Sequence, residues 1–466
     1  MQRKADKAVS LKMSTSAVLD FDHMSPRRLF TKMFFPTLLG MFSGSVMNIT
    51  DGIFVGQRVG SDALAAINIA APIFMLVTGI ALMFGIGASV RASVSLAQNR
   101  AGEANREITM ALAVSIAVVT LLSALVIFNL DAVAYLFGST HRLLPLVKEY
   151  LLWVTLGMPF SCILFSGMFY VRLDGAPKFA MWCEIIGALL NILLDYIFIY
   201  PLGMGVMGAA LASSLSCVVG SLLIMGYLLF YTKRVRLCRL RAAFTRGSQW
   251  LYTTWMQVKL GLSGFLGELA ISLMLVLGNY VFSGLLGESG VAAYSIACYC
   301  SPLFFMISNA IAQSAQPIIS YDYGARRWNR VRSTLKLVLT VAIACALMMT
   351  VGIVFFSGPL VSMFVKDDPV TYALAVKGMP LFAADLLFLA INVTMIGYFQ
   401  SVKRGTWATV FTALRGYVFL FICFVVLPRI WGVNGAWLAI PAAEGLTCLC
   451  IVLFAFFRLG RKRRRG

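Results

Sequence analysis

The sequence predicts an all-α integral membrane protein with twelve transmembrane helices in two six-helix lobes related by a parallel repeat. Three observations predict it: the composition, a set of apolar segments whose loops alternate in positive charge, and local sequence that recurs at an offset of 227 residues. Of the 466 residues, 60% are hydrophobic and 12% charged, with a mean hydropathy of +0.86. An ordinary soluble domain is about 45–50% apolar and about 25% charged. A water-soluble globule of this composition would expose large apolar patches, which excludes that class. The charge is lopsided, 39 Lys+Arg against 19 Asp+Glu for a net +20. Taken alone that balance suggests a nucleic-acid binder, but in so apolar a chain it reads as a topology signal and no nucleic-acid partner is expected.

A spanning helix needs about 20 mostly apolar residues. Residues 1–25 are polar and hold no cleavable apolar core, so the first apolar stretch is itself a span. Spans follow at about 29–56, 64–90, 107–129, 147–171, 178–200 and 205–231, then 255–283, 290–318, 331–356, 372–400, 405–427 and 433–458. The organisation is a cytoplasmic N-terminal segment (1–28), a first lobe (29–231), a cytoplasmic linker (232–254), a second lobe (255–458) and a basic cytoplasmic tail (459–466). With residue 1 inside, cytoplasmic stretches hold 32 Lys+Arg and the opposite loops six, leaving Arg415 as the basic residue within a span. That asymmetry puts both termini in the cytoplasm and requires an even number of spans. A multi-pass protein of the bacterial plasma (inner) membrane is expected, embedded in the lipid bilayer as a monomer.

The repeat is visible in particular residues. Pro201, Gly205, Gly208 and Ala209 match Pro428, Gly432, Gly435 and Ala436, and Gly60, Ala65 and Ala66 match Gly287, Ala292 and Ala293, at the offset of 227. Asn105-Arg106 and Gly157-Met-Pro159 pair with Asn329-Arg330 and Gly378-Met-Pro380 at nearby offsets. An offset of six spans preserves orientation, so the halves are parallel repeats about an axis along the membrane normal. Two such lobes with a cleft between them are the architecture of an alternating-access carrier.

Ionisable groups inside spans are costly and are functional candidates by default. They are Asp51, Glu184, Asp195, Glu268, Asp385, Arg415 and Glu444. Glu184, Asn191 and Asp195 fall at i, i+7 and i+11 of one segment and line one helical face. Asp51 lies near the outer end of the first span, three residues after Asn48, and Ser213 and Ser214 begin the sixth. The repeat acts as a control: Asp51, Asn191, Asp195 and Ser213 map onto Gly278, Val418, Ile422 and Ile440. The scaffold glycines recur and the carboxylates do not, so Asp51 and Asp195 are read as coupling-ion groups rather than scaffold. Desolvation and a second carboxylate nearby both favour the proton-bound form. Asn and Ser oxygens beside two carboxylates equally suit Na⁺, so both ions stay open, with Asp51, Asn191 and Asp195 as the Na⁺ ligands. Glu184 lies nearer the cytoplasmic end, where facing the headgroups is the competing reading. Glu268 is read as attracting a cationic substrate or a second ion, or as the anion that Arg415 needs; Asp385 and Glu444 carry the same ambiguity.

The ten Cys are scattered, mostly in apolar runs, and read as packing groups. His23 and His141 lie outside the apolar runs, which removes His-based catalysis and His metal sites from the membrane interior. No clustered nucleophile–base pair is present, so a membrane enzyme is not expected.

These residues resemble the multidrug and toxic compound extrusion (MATE) family, prokaryotic type, from about residue 25 to 458. DGIFVGQRVGSDALAA after the first span, GVMGAALAS opening the sixth, AIAQSAQPIISYDYGARRWNRV across the eighth-to-ninth junction and TALRGYVFLF around Arg415 carry the resemblance. It implies a V-shaped carrier without an organic cofactor, exporting amphipathic, often cationic small molecules in exchange for H⁺ or Na⁺. One prokaryotic branch uses an Asp of the first helix, an Asn and Asp four apart in the fifth and a hydroxyl in the sixth. Asp51, Asn191, Asp195 and Ser213 stand at those positions, with Ser where the family often has Thr. Another branch uses a Glu in helix seven with an Asp in helix ten; Glu268 matches the first, whereas Asp385 sits about one turn early. Related flippases that move lipid-linked substrates on the same fold are the competing reading.

Overall fold

A computed structural model describes residues 19–244, 249–365 and 368–463. Residues 1–18, linker residues 245–248, Lys366 of the outer loops and the last three residues of the basic tail lie outside the described residues. Among the described residues every regular element is a helix. In the first half these are α1 (Pro26–Arg58), α2 (Ser61–Ala97), α3 (Ala101–Phe128), the short α4 (Leu130–Leu136), α5 (Leu144–Asp174), α6 (Pro177–Ile199) and α7 (Gly205–Gly226). A short linker helix α8 (Leu240–Phe244) precedes α9 (Gln249–Gly324), α10 (Trp328–Ser362), α11 (Pro369–Ala383), α12 (Asp385–Ser401), α13 (Gly405–Ala413) and α14 (Phe419–Arg463).

Ten continuous helical stretches among the described residues are long and apolar enough to cross a membrane. Two of them turn sharply at a glycine, α9 at Gly287 and α14 at Gly432. Dividing each there gives the twelve spans that hydropathy predicts. The turn residues also reveal the repeat in the backbone. Gly60 (φ 106°) answers Gly287 (φ 64°), and Gly205 (φ 58°) answers Gly432 (φ 56°), each 227 residues on. Only glycine takes such φ values without steric cost. At the lysine- and arginine-rich end of the bundle Asn99 (φ 58°) and Arg326 (φ 57°) are related by the same offset.

The halves meet through α2 and α9. A Cβ on Gly87 would lie 2.2 Å from the Gln257 carbonyl oxygen, and one on Gly261 1.8 Å from that of Met83. These are two glycines four residues from their opposite numbers on antiparallel helices, so the backbones touch, as small residues allow in lipid. Further along, Gly324 of α9 lies against Val94 of α2. Hydrogen bonds cross the same seam: Ser93 Oγ to the Pro317 carbonyl (3.2 Å), and Gln257 Nε2 to the carbonyl (2.9 Å) and carboxylate (2.7 Å) of Glu107, which Arg91 Nε also reaches at 2.8 Å.

At the basic end the chain ahead of α1 straps the halves together. Leu19 and Phe21 are buried, and the Leu19 N–H donates to the Gly175 carbonyl of the first half. Asp22 accepts from Tyr321 Oη and Arg327 Nη2, both at 2.8 Å, and Arg330 Nη2 donates to the Phe21 and Met24 carbonyls at 3.0 Å, all from the second half. Partial burial raises the Asp22 carboxyl, but the Tyr321 and Arg327 hydrogen bonds outweigh it and hold the group below its ordinary range. That contribution is therefore present above the unfolded carboxyl value of about 3.9 and is lost only as pH falls through the lower folded value.

Asp174, fully buried at the end of α5, anchors the start of the linker. Its carboxylate accepts from the backbone N–H groups of Lys233, Arg234 and Val235 at 2.6–3.1 Å and from Tyr227 Oη at 2.7 Å. Asp174→Ala is expected to cost about 3 kcal/mol, since two of the four donors, those of Val235 and Tyr227, are buried and each buried donor left without an acceptor costs about 1–3 kcal/mol. Thermal unfolding in detergent checks this, with Asp174→Asn, which keeps an acceptor oxygen, losing less than half as much. An alanine variant that melts with the wild type would show that the linker is held by other contacts.

Candidate ion and substrate sites

The first half gathers four of the sequence-derived residues. Asn191 and Asp195 project from successive turns of α6, both fully buried. With its amide turned to satisfy both neighbours, Asn191 donates to Asp195 Oδ2 at 3.2 Å and accepts the Ser213 N–H of α7 at 3.2 Å. In the opposite amide orientation its Nδ2 reaches Ser213 Oγ at 3.4 Å. Asp51 comes in from α1, close enough for its charge to act on Asp195. Tyr150 near the start of α5 packs on the apolar cluster of Val55 and Ile199, close enough to feel the charge of both carboxylates, a neighbour that neither hydropathy nor spacing reveals. One oxygen of each carboxylate, Asp51 Oδ1 and Asp195 Oδ1, is buried with no hydrogen-bond partner among the described residues. Two buried oxygens without a partner, with an amide and a hydroxyl in the same group, fit a proton or a hard monovalent cation. Among the described residues no cluster of three His, Cys, Asp or Glu fits a tightly held metal. Asn48 is exposed and stays outside the group, and Ser214 bonds the Trp153 carbonyl at 2.9 Å.

The second half fills the equivalent space with rings. Gly278, the repeat-mate of Asp51, lies against Tyr294, whose ring a Cβ would meet at 2.2 Å. Tyr294 stacks on Phe282 at 4.7 Å between centroids, and Phe282 meets Trp437 edge-on at 4.8 Å. All three are essentially buried. Offset-stacked and edge-to-face rings pack well without water. The pseudo-symmetry thus preserves the backbone and replaces the polar site with a dry aromatic one.

The remaining ionisable residues form two further groups. Arg415, at a π-helical turn after α13, pairs with Glu444: Nε and Nη2 lie 2.7 and 2.6 Å from Oε1. Asn392 Nδ2 donates to the other oxygen, Oε2, at 2.6 Å. Asp385, buried at the start of α12, feels the charges of both Glu444 and Arg415. The partner of Arg415 is therefore Glu444, one helix away, so of the two readings open for Glu268 the one in which it supplies that anion is not the arrangement found. Glu268 instead lines a cavity of about 70 Å³, sharing its wall with Asn309, Gln313, Gln316, Gln400 and Arg415.

Glu184 is turned towards a buried arginine of the protein. Its Oε1 lies 3.3 Å from Arg172 Nη2, and it packs so closely on α1 that a Cβ on Gly40 would sit 1.7 Å from Oε2. Arg172, within α5 and 4% exposed at its side chain, also donates from Nη1 to Gln313 Oε1 of the second half at 2.7 Å. Beside Arg415, a second arginine side chain is thus buried in the helical bundle. Arg172 falls two residues from the end of its helix, where a hydropathy count assigns it to the loop, while its long side chain turns back into the interface.

The family described as MatE matches residues 36–197 and 265–425, one block in each half. The multidrug export protein MepA of Staphylococcus saprophyticus is 23% identical over 422 residues, covering 90% of this chain and 91% of its own. A FAD transporter of Shewanella oneidensis is 24% identical over 433 residues, covering 90% and 93%. Among solved structures, an outward-facing multidrug resistance MATE family transporter of the MOP superfamily superposes with a TM-score of 0.89 at 22% identity, over 97% of this chain and 99% of the other. A MOP superfamily transporter from Pyrococcus furiosus, described as having a binding pocket of reverse polarity, gives 0.88 at 22% identity, over 96% and 98%.

Proposed function

The chain belongs to the MatE family of membrane transporters, and from that premise we propose that it exports amphipathic, often cationic small molecules by alternating access, driven by an inward flow of H⁺ or Na⁺. The observation that carries this reading is the group of buried Asn191 and Asp195 with half-buried Asp51 and Ser213, in which one oxygen of each carboxylate is unpartnered among the described residues. A cation arriving there gains two acceptors that the protein leaves unsatisfied, so its binding alters the electrostatics between α1 and α6. A carrier coupled in this way exchanges ion for substrate because the two stabilise different conformations of the lobes. The basic end faces the cytoplasm in this reading, on the strength of 32 Lys+Arg at that end against six at the other. Glu268, in the second-half cavity, is the group that attracts a cationic substrate or a second ion. The protein works as a monomer in the bacterial plasma membrane and needs no cofactor beyond the coupling ion.

Reconstitution into liposomes with ΔpH and Na⁺ gradients imposed separately tests the proposal. Ethidium transport is expected to follow one imposed gradient and to collapse when that gradient is dissipated. Transport indifferent to both gradients would sink the coupling mechanism. A second reading, export of an endogenous anionic metabolite, is favoured by the relative described as a FAD transporter. It predicts flavin-nucleotide transport by the same liposomes in the absence of ethidium transport.

A further inference from the structure

At the basic end a groove of about 370 Å³ lies between α1 of the first half and α10 of the second. On α1 it is lined by Arg27, Phe30, Phe34 and Phe35, which recur at i, i+3, i+7 and i+8 and so form one stripe of the helix. On α10 Leu337 and Val341, one turn apart, complete it. Arg27 stands in the first turn of α1 and Phe35 about 12 Å further along the axis at 1.5 Å per residue. The groove therefore has a cationic mouth and an apolar floor that runs into the bilayer.

The charge around that mouth has no internal counterpart. Arg28, Lys32, Arg332 and Lys336 join Arg27 on the exposed surfaces of the two helices, while residues 26–50 and 328–362 contain no Asp or Glu. None of these five cations pairs with a carboxylate among the described residues. Arg327 and Arg330, close by in sequence, are by contrast occupied by Asp22 and Asp322. Polybasic surfaces beside a spanning helix attract anionic lipid, each Lys or Arg contributing about fivefold to its partition. Here the attraction is joined to a shaped apolar groove, which a diffuse basic fringe would lack.

We propose that this groove is a binding site for an anionic phospholipid of the leaflet at the basic end, with its phosphate at Arg27 and one acyl chain along Phe30, Phe34, Leu337 and Val341. Because one wall belongs to each half, the lipid bridges the lobes next to the strap formed by residues 19–24. The proposal does not depend on which substrate or coupling ion the protein uses.

Native mass spectrometry of the delipidated protein in detergent, titrated with phosphatidylglycerol and with phosphatidylcholine, tests it. The wild type is expected to retain phosphatidylglycerol about 25-fold more tightly, as two engaged cations at about fivefold each would give. Arg27→Gln/Lys336→Gln should bring the two lipids to within about threefold of each other, leaving phosphatidylcholine binding as it was. Val341→Trp, which fills the groove and keeps all five cations, should also abolish the preference. Each variant is compared at matched melting temperature, and Val341→Ala, which leaves the groove open, should bind as the wild type does. Two results would overturn the site. In the first, the tryptophan variant retains the full preference, showing that charge alone gathers the lipid. In the second, phosphatidylcholine binds the wild type as tightly as phosphatidylglycerol, showing a neutral lipid or detergent occupant.

Discussion

Asp195→Asn is expected to reduce gradient-driven efflux by roughly 5–150-fold, the range that a coupling free energy of about 1–3 kcal/mol spans. The substitution is nearly isosteric and keeps an acceptor for the Asn191 amide, so the local hydrogen bond at 3.2 Å survives. What it removes is the carboxylate charge proposed to bind and release the ion, on the group whose Oδ1 has no hydrogen-bond partner among the described residues. Asp51→Asn should act similarly, and the two together should be no worse than either alone, because groups that work as a unit are not additive. Efflux from cells and from liposomes, at matched expression and melting temperature, provides the measurement. Substrate binding without a gradient should persist in both variants, which separates lost coupling from lost recognition. If both variants transport at the wild-type rate under the gradient that drives the wild type, Asp51 and Asp195 have no coupling role.

Much of the fold was legible because membrane physics constrains few alternatives. Only helices satisfy their own backbone groups within a lipid-facing span, so apolar length translates directly into elements. Gly60, Gly205, Gly287 and Gly432 were legible as paired turn residues since their left-handed φ values exclude most side chains. Arg326, repeat-mate of Asn99, takes the same left-handed turn but carries no comparable signal, because arginine is placed there by tertiary context rather than preference. Hydropathy also joined what the backbone separates: α11 and α12, parted at Ala384, form the single span expected at 372–400.

The site divides along the same line. Asn191 and Asp195 were legible together because spacing within one helix fixes their relative direction, and Ser213 because the repeat shows that its position is not scaffold. Tyr150 was not legible, since its nearness to Asp51 and Asp195 depends on how residues of three separate helices come together. Arg172 illustrates a different limit. A charge near a helix end has the choice of water or interior, and only the packed partners Gln313 and Glu184 decide it. The pairing of Arg415 with Glu444 is of the same kind, because it requires the rotation of two helices about their axes, which periodicity leaves free.

That pairing makes the second large prediction. Arg415→Met should destabilise the protein by about 3–5 kcal/mol, the usual penalty for leaving one member of a buried ion pair uncompensated. The effect should lie towards the upper end here, because Glu444 is 5% exposed and Asp385, 6% exposed, stands within its field. Asn392 still donates to Glu444 Oε2, but a neutral amide offsets only part of a full charge. The double variant Arg415→Met/Glu444→Gln removes both charges and keeps an acceptor for Asn392, so most of the loss should return. Breaking a buried pair is costly, whereas deleting both members is often nearly neutral. Recovery of monodisperse protein after graded heating in detergent measures the sequence of stabilities. Glu268→Gln supplies the discriminating control: placed on Arg415→Met it should rescue nothing, since the ion pair that Arg415 makes among the described residues is with Glu444, and Glu268 only shares a cavity wall with it. If Glu268→Gln rescues and Glu444→Gln does not, the pair has been assigned to the wrong helix.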